Sequence, residues 1–205
     1  MKRLRIGIDI NEANVKNRVG TGQYTYHILQ HCSARTDLDF HLYYRDPLQG
    51  ALPPEDAHWQ YHQVGPTKGW IRFGLPLYLA THAPHDVWWS PAHYMPVVTR
   101  AERCVVTIHD LAYEYFPDLF LPSDLYKLKH WSRAAVRQAD HVIAVSAATR
   151  HDLVALYNVP TEKVSVIHNG YDSDIFNLST PADKSLIGHW SLDIVYLSNV
   201  LSPAR

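Results

Sequence analysis

Three short segments of this 205-residue sequence carry side chains that could do chemistry, and each lies where a strand gives way to a turn or helix. The run Val105-Val106-Thr107-Ile108 ends in His109-Asp110. A histidine at a strand end can give or take a hydrogen bond with a sugar hydroxyl, and a carboxylate beside it can fix its tautomer or bind a second hydroxyl. The chain has 14 histidines, most of which must serve packing or the surface, so position is what singles His109 out. The second segment, Gly20-Thr21-Gly22, precedes a predicted helix. Glycines there let the backbone approach a ligand, and the free N–H groups of a helix start attract an anion; a plain turn into a helix accounts for them equally well. The third, Asn169-Gly170, follows the run Val164 to His168 and reads either as a loop lining a cleft or as residues that tolerate positive φ.

Two aromatic clusters, Trp88-Trp89-Ser90-Pro91-Ala92-His93-Tyr94 and Tyr113-Glu114-Tyr115-Phe116-Pro117, offer flat faces for carbohydrate rings, or for core packing. Asp172-Ser173-Asp174 has D-x-D spacing, but two carboxylates hold a divalent cation poorly unless a diphosphate completes the shell, so no metal is expected. Lys68-Gly69-Trp70-Ile71-Arg72-Phe73 opens an apolar helix; burial is the first reading and contact with an anionic membrane surface the second.

The elements that must position these residues follow from hydrophobic pattern. Short β-branched runs alternate with amphipathic helical stretches, the signature of βα units feeding a parallel sheet in an α/β, Rossmann-like domain. Strands are expected at about 4–10, 39–44, 59–64, 86–89, 104–108, 141–145 and 164–168. A first helix from about Gly22 to Ser33 should lay Tyr26, Ile28, Leu29 and Cys32 on the sheet. A later one from about Ser123 to Ala139 should bury Leu125, Leu128, Ser132, Ala135, Val136 and Ala139. Ser146 is placed to cap the helix that AATRHDLVALY begins. In such a sheet ligands gather outside the carboxyl ends of the strands, where loops and helix N-termini converge.

Composition narrows the partners. A formal net charge of -1, with no run of Lys and Arg, provides no field to hold a polyanion, and no nucleic-acid partner is expected. Cys32 and Cys104 lack C-x-x-C spacing and suit a reducing cytoplasm as ordinary thiols. MKRLRIGIDI is broken by Arg5, Gly7 and Asp9 and reads as a strand rather than a signal peptide. No apolar run reaches the length of a membrane span.

Taken in order, IGIDI, GTGQYTYHIL, WWSPAHYMP, VVTIHDLAYEYFPDLF and ADHVIAVSAATRHDLVALYNVPTEKVSVIHNGYD resemble the N-terminal half of retaining glycosyltransferases of the GT-B fold, family 4, particularly mannosyltransferase-like members. The resemblance covers most of residues 4 to 177. It implies transfer of a sugar from a nucleotide-diphosphate donor to a saccharide or lipid-linked hydroxyl acceptor, in bacterial polysaccharide or lipopolysaccharide synthesis, at or near the inner face of the membrane. By position, Gly20, Thr21 and Gly22 match the loop beside the donor diphosphate. His109, with Asp110, matches the histidine near the donor sugar, and Ser146, Asn169 and Gly170 match loop positions lining the cleft. Tyr94 and Tyr113 fall where the acceptor is expected. The family's basic pair and its two glutamates at E-x7-E spacing belong to a C-terminal domain; the five glutamates here include no such pair. The expectation is therefore an acceptor-side domain over 1–177, then a linker and the first strand of a truncated second domain over 178–205, with little activity in the isolated chain. Two other readings stay open: a dinucleotide-binding domain, although Thr25 stands where a third glycine would be wanted, and a non-catalytic carbohydrate-binding module.

Overall fold

The computed structural model describes residues 2–49, 51–65 and 68–171. The expected D-x-D segment, linker and last strand lie outside these residues.

Among the described residues seven strands form, one at each place expected there: β1 (Leu4–Asp9), β2 (Leu38–Tyr44), β3 (Trp59–Gln63), β4 (His85–Ser90), β5 (Ala101–Ile108), β6 (His141–Ala144) and β7 (Val164–Val166). They pair in the order β3-β2-β1-β4-β5-β6-β7, and every pairing is parallel. A parallel sheet covered on both faces needs apolar residues at successive positions, which explains the near-continuous run from Cys104 to Ile108. Alternate side chains divide between two cores. Val105 joins Ile6, Ile8 and Ile10 on one face, while Cys104, Val106 and Ile108 join Trp88 and Leu75 on the other. Ile6, Ile8 and Ile10 are each at most 1% exposed, and burial of a side chain of this size contributes about 1.5–3 kcal/mol.

Crossovers that run in opposite directions along a sheet, all right-handed, place their helices on opposite faces. Helix α1 (Gly20–Cys32), which carries the chain from β1 outward to β2, packs on the isoleucine face. Helices α2 (Leu75–Thr81), the short α3 (Ala112–Tyr115), α4 (Pro122–Gln138) and α5 (Ala147–Tyr157) belong to crossovers running the other way, and their buried residues join the second core. The direction reverses between β1 and β4, so their outgoing loops part and leave a crevice at the carboxyl edge.

Most helix faces fall as the pattern dictates. In α4, Ser132, Ala135 and Val136 are buried, Ala139 just past its end is buried too, and Leu125 and Leu128 pack against the core. In α1 the buried face is rotated from expectation, centred on Tyr24, Thr25, Ile28 and Leu29, with Tyr26 and Cys32 only partly covered. Thr25 can be buried because its hydroxyl donates to the Thr21 carbonyl one turn back, 2.8 Å away. The Lys68 segment turns at Gly69 into a π-helical turn (Trp70–Gly74) that leads into α2. Trp70 is buried with its indole N–H on the Val64 carbonyl, 2.6 Å away, whereas Phe73 and Leu77 are 75% and 71% exposed.

Candidate functional site at the carboxyl edge of the sheet

The loop from β1 to α1 is tied down at several points. Burial pushes the Asp9 carboxyl up to about 6, although both the backbone and side-chain N–H of Asn11 donate to its Oδ1, at 3.0 and 2.7 Å. Asn14 is buried; its Nδ2 donates to the Asp46 carbonyl (2.8 Å) and its Oδ1 accepts from the Gln49 N–H (2.6 Å). Arg18 donates to the Ala13 carbonyl at 2.6 Å and lies over the Tyr26 ring.

This anchored loop delivers the start of α1. Gly20 takes a left-handed φ of 39°, which glycine adopts without strain. A β-carbon at Gly22 would run into the backbone carbonyl oxygen of Glu12, so the position demands glycine. Val19 precedes the helix, caps it with no side chain and is followed by no acidic residue in the first turn. The Gly22 N–H is spent on the Val19 carbonyl at 2.8 Å and the Thr21 hydroxyl lies 3.4 Å from a Glu12 carboxylate oxygen, so the backbone N–H groups of Gly20 and Thr21 are the ones left to favour an anion.

His109 follows β5 on the other side of the crevice. Its Nε2 lies 2.8 Å from the Pro91 carbonyl oxygen. A carbonyl can only accept, so Nε2 carries the proton and Nδ1 keeps its lone pair. Nδ1 makes no hydrogen bond with a described residue. Burial holds the ring's pKa below the usual histidine range, so it is neutral at pH 7. Tyr24, one turn into α1, packs its ring edge-on against His109 with centroids 4.8 Å apart, which joins the glycine loop to the histidine. From the far side, the Thr149 hydroxyl donates to the His109 carbonyl at 2.9 Å. Ser146 in turn caps α5 by accepting the Thr149 N–H at 3.0 Å, the role its sequence position implies.

Asp110 does not set the tautomer of His109. Its Oδ1 accepts the Ala112 N–H at 3.0 Å and starts α3, and the Pro91 carbonyl does the orienting. Tyr94 is partly buried, edge-on to Trp131, and its hydroxyl is pushed up to about 12 chiefly by burial. Tyr113 is only 1% exposed, and its hydroxyl meets that of Tyr157 at 3.0 Å. It is a core residue behind the site rather than a surface for an acceptor. Tyr157 also donates to Glu114, which Lys129 and Arg133 flank at 3.3 Å each, and this network fastens α3 to α4 and α5. Asn169 and Gly170 are exposed on the loop after β7, neither with positive φ, and they make no hydrogen bond to the other site residues.

Three site residues escaped the sequence reading: Tyr24, Glu12 and His93. The Glu12 charge is felt by His109 and by Tyr94, which places it on the rim between them. His93 follows β4 as His109 follows β5, and their ring centroids are 5.6 Å apart. The rule that ligands collect beyond strand ends, applied to β4, would have found it. Among the described residues no group of three or more His, Cys, Asp or Glu is arranged to hold a metal ion.

A seven-stranded parallel sheet with helices on both faces, its glycine loop and strand-end histidine at the carboxyl edge, defines a Rossmann-like α/β domain. Comparison with known proteins makes this specific: the model of Glycosyltransferase Family 4 matches residues 20–175, and the chain belongs to that family. It is 31% identical over 71 residues to the O-antigen chain mannosyltransferase RfbU of Salmonella typhimurium, a match covering 35% of this chain and 20% of RfbU. Its structure is similar to that of Anabaena Alr3699/HepE in complex with UDP, with a TM-score of 0.51 and 17% identity over 90% of this chain and 48% of HepE. The chain thus matches a fifth of RfbU and about half of HepE. Its fold is the Rossmann-like half of a GT-B architecture.

Proposed function

We propose that this domain forms one wall of a glycosyl-transfer site, moving a sugar from a nucleotide-diphosphate donor to a hydroxyl acceptor with retention of anomeric configuration, in cytoplasmic polysaccharide or lipopolysaccharide synthesis. The observation that carries this reading is the pairing of a neutral His109, its Nδ1 open, with the uncapped start of α1 across the crevice between β1 and β4. A transition state of this kind puts positive charge on the sugar and negative charge on the departing diphosphate. The helix start would face the diphosphate, and His109 would accept a hydrogen bond from a sugar hydroxyl. The remaining positive groups, and closure that excludes water, would come from a second domain facing this edge. RfbU, named as a mannosyltransferase, supports a hexose as the transferred group, and HepE, solved with UDP, supports a nucleotide-sugar donor.

A lipid-linked acceptor would bring the domain to a membrane surface. Phe73 and Leu77, beside Arg72 and near Lys68, are the exposed apolar residues suited to meet it. No helix among the described residues is long and apolar enough to cross a membrane.

The test is titration of the isotopically labelled chain with UDP- and GDP-hexoses, followed by nuclear magnetic resonance. The reading predicts shifts at the amides of Gly20, Thr21 and Gly22 and at the His109 ring. Binding of NAD in preference to any nucleotide sugar, or shifts only far from these residues, would overturn it.

A further inference from the structure

His93 has no assigned role, yet it is placed with unusual care. Its backbone takes a φ of 46°, a left-handed conformation that non-glycine residues seldom adopt. It is held there by its N–H, which donates to the Thr107 carbonyl of β5 at 3.1 Å. Thr107 is itself fixed, its hydroxyl receiving the Trp89 indole N–H at 3.1 Å. The structure therefore maintains an unfavourable backbone in order to set this ring beside that of His109, with 39° between the planes.

The hydrogen-bonding capacity of the two rings is complementary. Nδ1 of His93 is sealed from solvent and has no partner. A buried lone pair left unmet costs less than a buried N–H left unmet, so the ring proton sits on Nε2. Nε2 is not sealed in this way and makes no hydrogen bond with a described residue, which leaves it an open donor. His109 presents the opposite: its Nε2–H is spent on Pro91 and its Nδ1 is an open acceptor. Burial, followed by the neighbouring His109, pushes His93 down to about 4, so both rings are neutral at pH 7 and keep these roles.

We infer that His93 and His109 form a two-histidine clamp for a sugar hydroxyl, in which His109 Nδ1 accepts the hydroxyl proton while His93 Nε2–H donates to the hydroxyl oxygen. A hydroxyl both donates and accepts, which matches one open acceptor beside one open donor. Two hydrogen bonds of about 2.8 Å bridge nitrogens up to about 5.6 Å apart, and the centroids of these two rings lie 5.6 Å apart. The clamp rejects a deoxy sugar at that position, because both nitrogens would be left unmet in a partly buried site. It takes from the proposed glycosyl-transfer function only the class of ligand, a neutral sugar, and makes His93 a specificity-determining residue.

The experiment follows the imidazole nitrogens of the full chain by long-range nitrogen–proton correlation at pH 7. Without ligand, both rings should show the Nε2–H tautomer. Titration with the methyl α-glycosides of mannose, glucose and galactose should then shift both His93 and His109 for at least one sugar. His93→Asn, whose amide tolerates positive φ but stops short of the Nε2 position, should weaken binding roughly tenfold, the loss of about one hydrogen bond. His93→Gln, whose amide N–H reaches that position, should restore most of it. Circular dichroism establishes that both variants fold. A proton on Nδ1 of His93, shifts at His109 without shifts at His93, unresponsive rings with every glycoside, or equal binding by the Asn variant and the parent would each overturn the clamp. Failure of the glycosyl-transfer reading shows separately, as a chain that binds glycosides through both histidines but no nucleotide sugar.

Discussion

Two groups of histidines lie in this one sheet and are used in opposite ways. His41, His62 and His85 sit among Tyr43, Tyr78 and Trp88 on the α2 side, with His41 and His85 only 6% and 2% exposed. Each spends at least one nitrogen on a neighbour, and the unpartnered Nδ1 of His85 is sealed in the core. The Arg5 guanidinium donates to Nε2 of His41, so its Nδ1–H donates to His62 at 3.0 Å, and His85 meets the Tyr43 hydroxyl at 2.9 Å. His93 and His109, at the carboxyl ends of β4 and β5, each keep one nitrogen open. Burial and neutrality are common to both groups. What separates a packing histidine from a site histidine here is where the unspent nitrogen lies, sealed in the core at His85 and facing converging loops at His109 and His93.

The largest effect that could break this comparison is on stability in acid. In the folded chain burial lowers His41 to about 4 and His85 to about 3, and lowers His62 as well. The nearby Arg5 charge acts in the same direction, while Asp39 beside His41 and Glu55 beside His62 oppose it. Depressed basic groups favour the folded state only while neutral. Their contribution is complete above the unfolded value near 6.5 and is lost as pH falls toward the folded values. At about 1.4 kcal/mol per pH unit, His41 and His85 together should cost roughly 4 kcal/mol between pH 7 and pH 5. Urea midpoints at the two values measure this; a midpoint that does not move would show that these rings are not sealed.

A smaller effect is expected at the start of α1. Gly22→Ala places a methyl group against the Glu12 carbonyl and should destabilise the fold by about 1–3 kcal/mol. Gly20→Ala meets no neighbour and carries only the strain of its φ, about 1 kcal/mol. Thermal unfolding of the two variants ranks them, and the reverse order would contradict the contact at Gly22. Smallest is Ser146→Ala, which removes the α5 cap at about 1 kcal/mol. It should also loosen Thr149, which donates to the His109 carbonyl, and so broaden the His109 ring signal more than that of His85.

Much of this was legible in the sequence. The seven strands of the described residues were, the central ones because strands buried on both faces read as near-continuous apolar runs, and the edge strands β3 and β7 from their β-branched and aromatic residues instead. The α5 cap and the placement of His109 were legible for the same local reason, a polar residue at the end of such a run. Two of the missed features depend on partners distant in the chain, and one on a local bond. Tyr113 is buried because Tyr157, 44 positions on, meets its hydroxyl. Thr25 escaped because a local backbone bond lets a polar side chain face the core. His93 was hidden inside an aromatic cluster, and its left-handed backbone depends on Thr107.

The central claim, that the carboxyl edge between β1 and β5 binds a nucleotide sugar, is tested most directly by a crystal structure of the chain soaked with a UDP- or GDP-hexose. The account predicts the diphosphate at the N–H groups of Gly20 and Thr21, with a sugar hydroxyl within hydrogen-bond distance of His109 Nδ1. A ligand seated elsewhere on the domain, with His109 Nδ1 untouched, would contradict it.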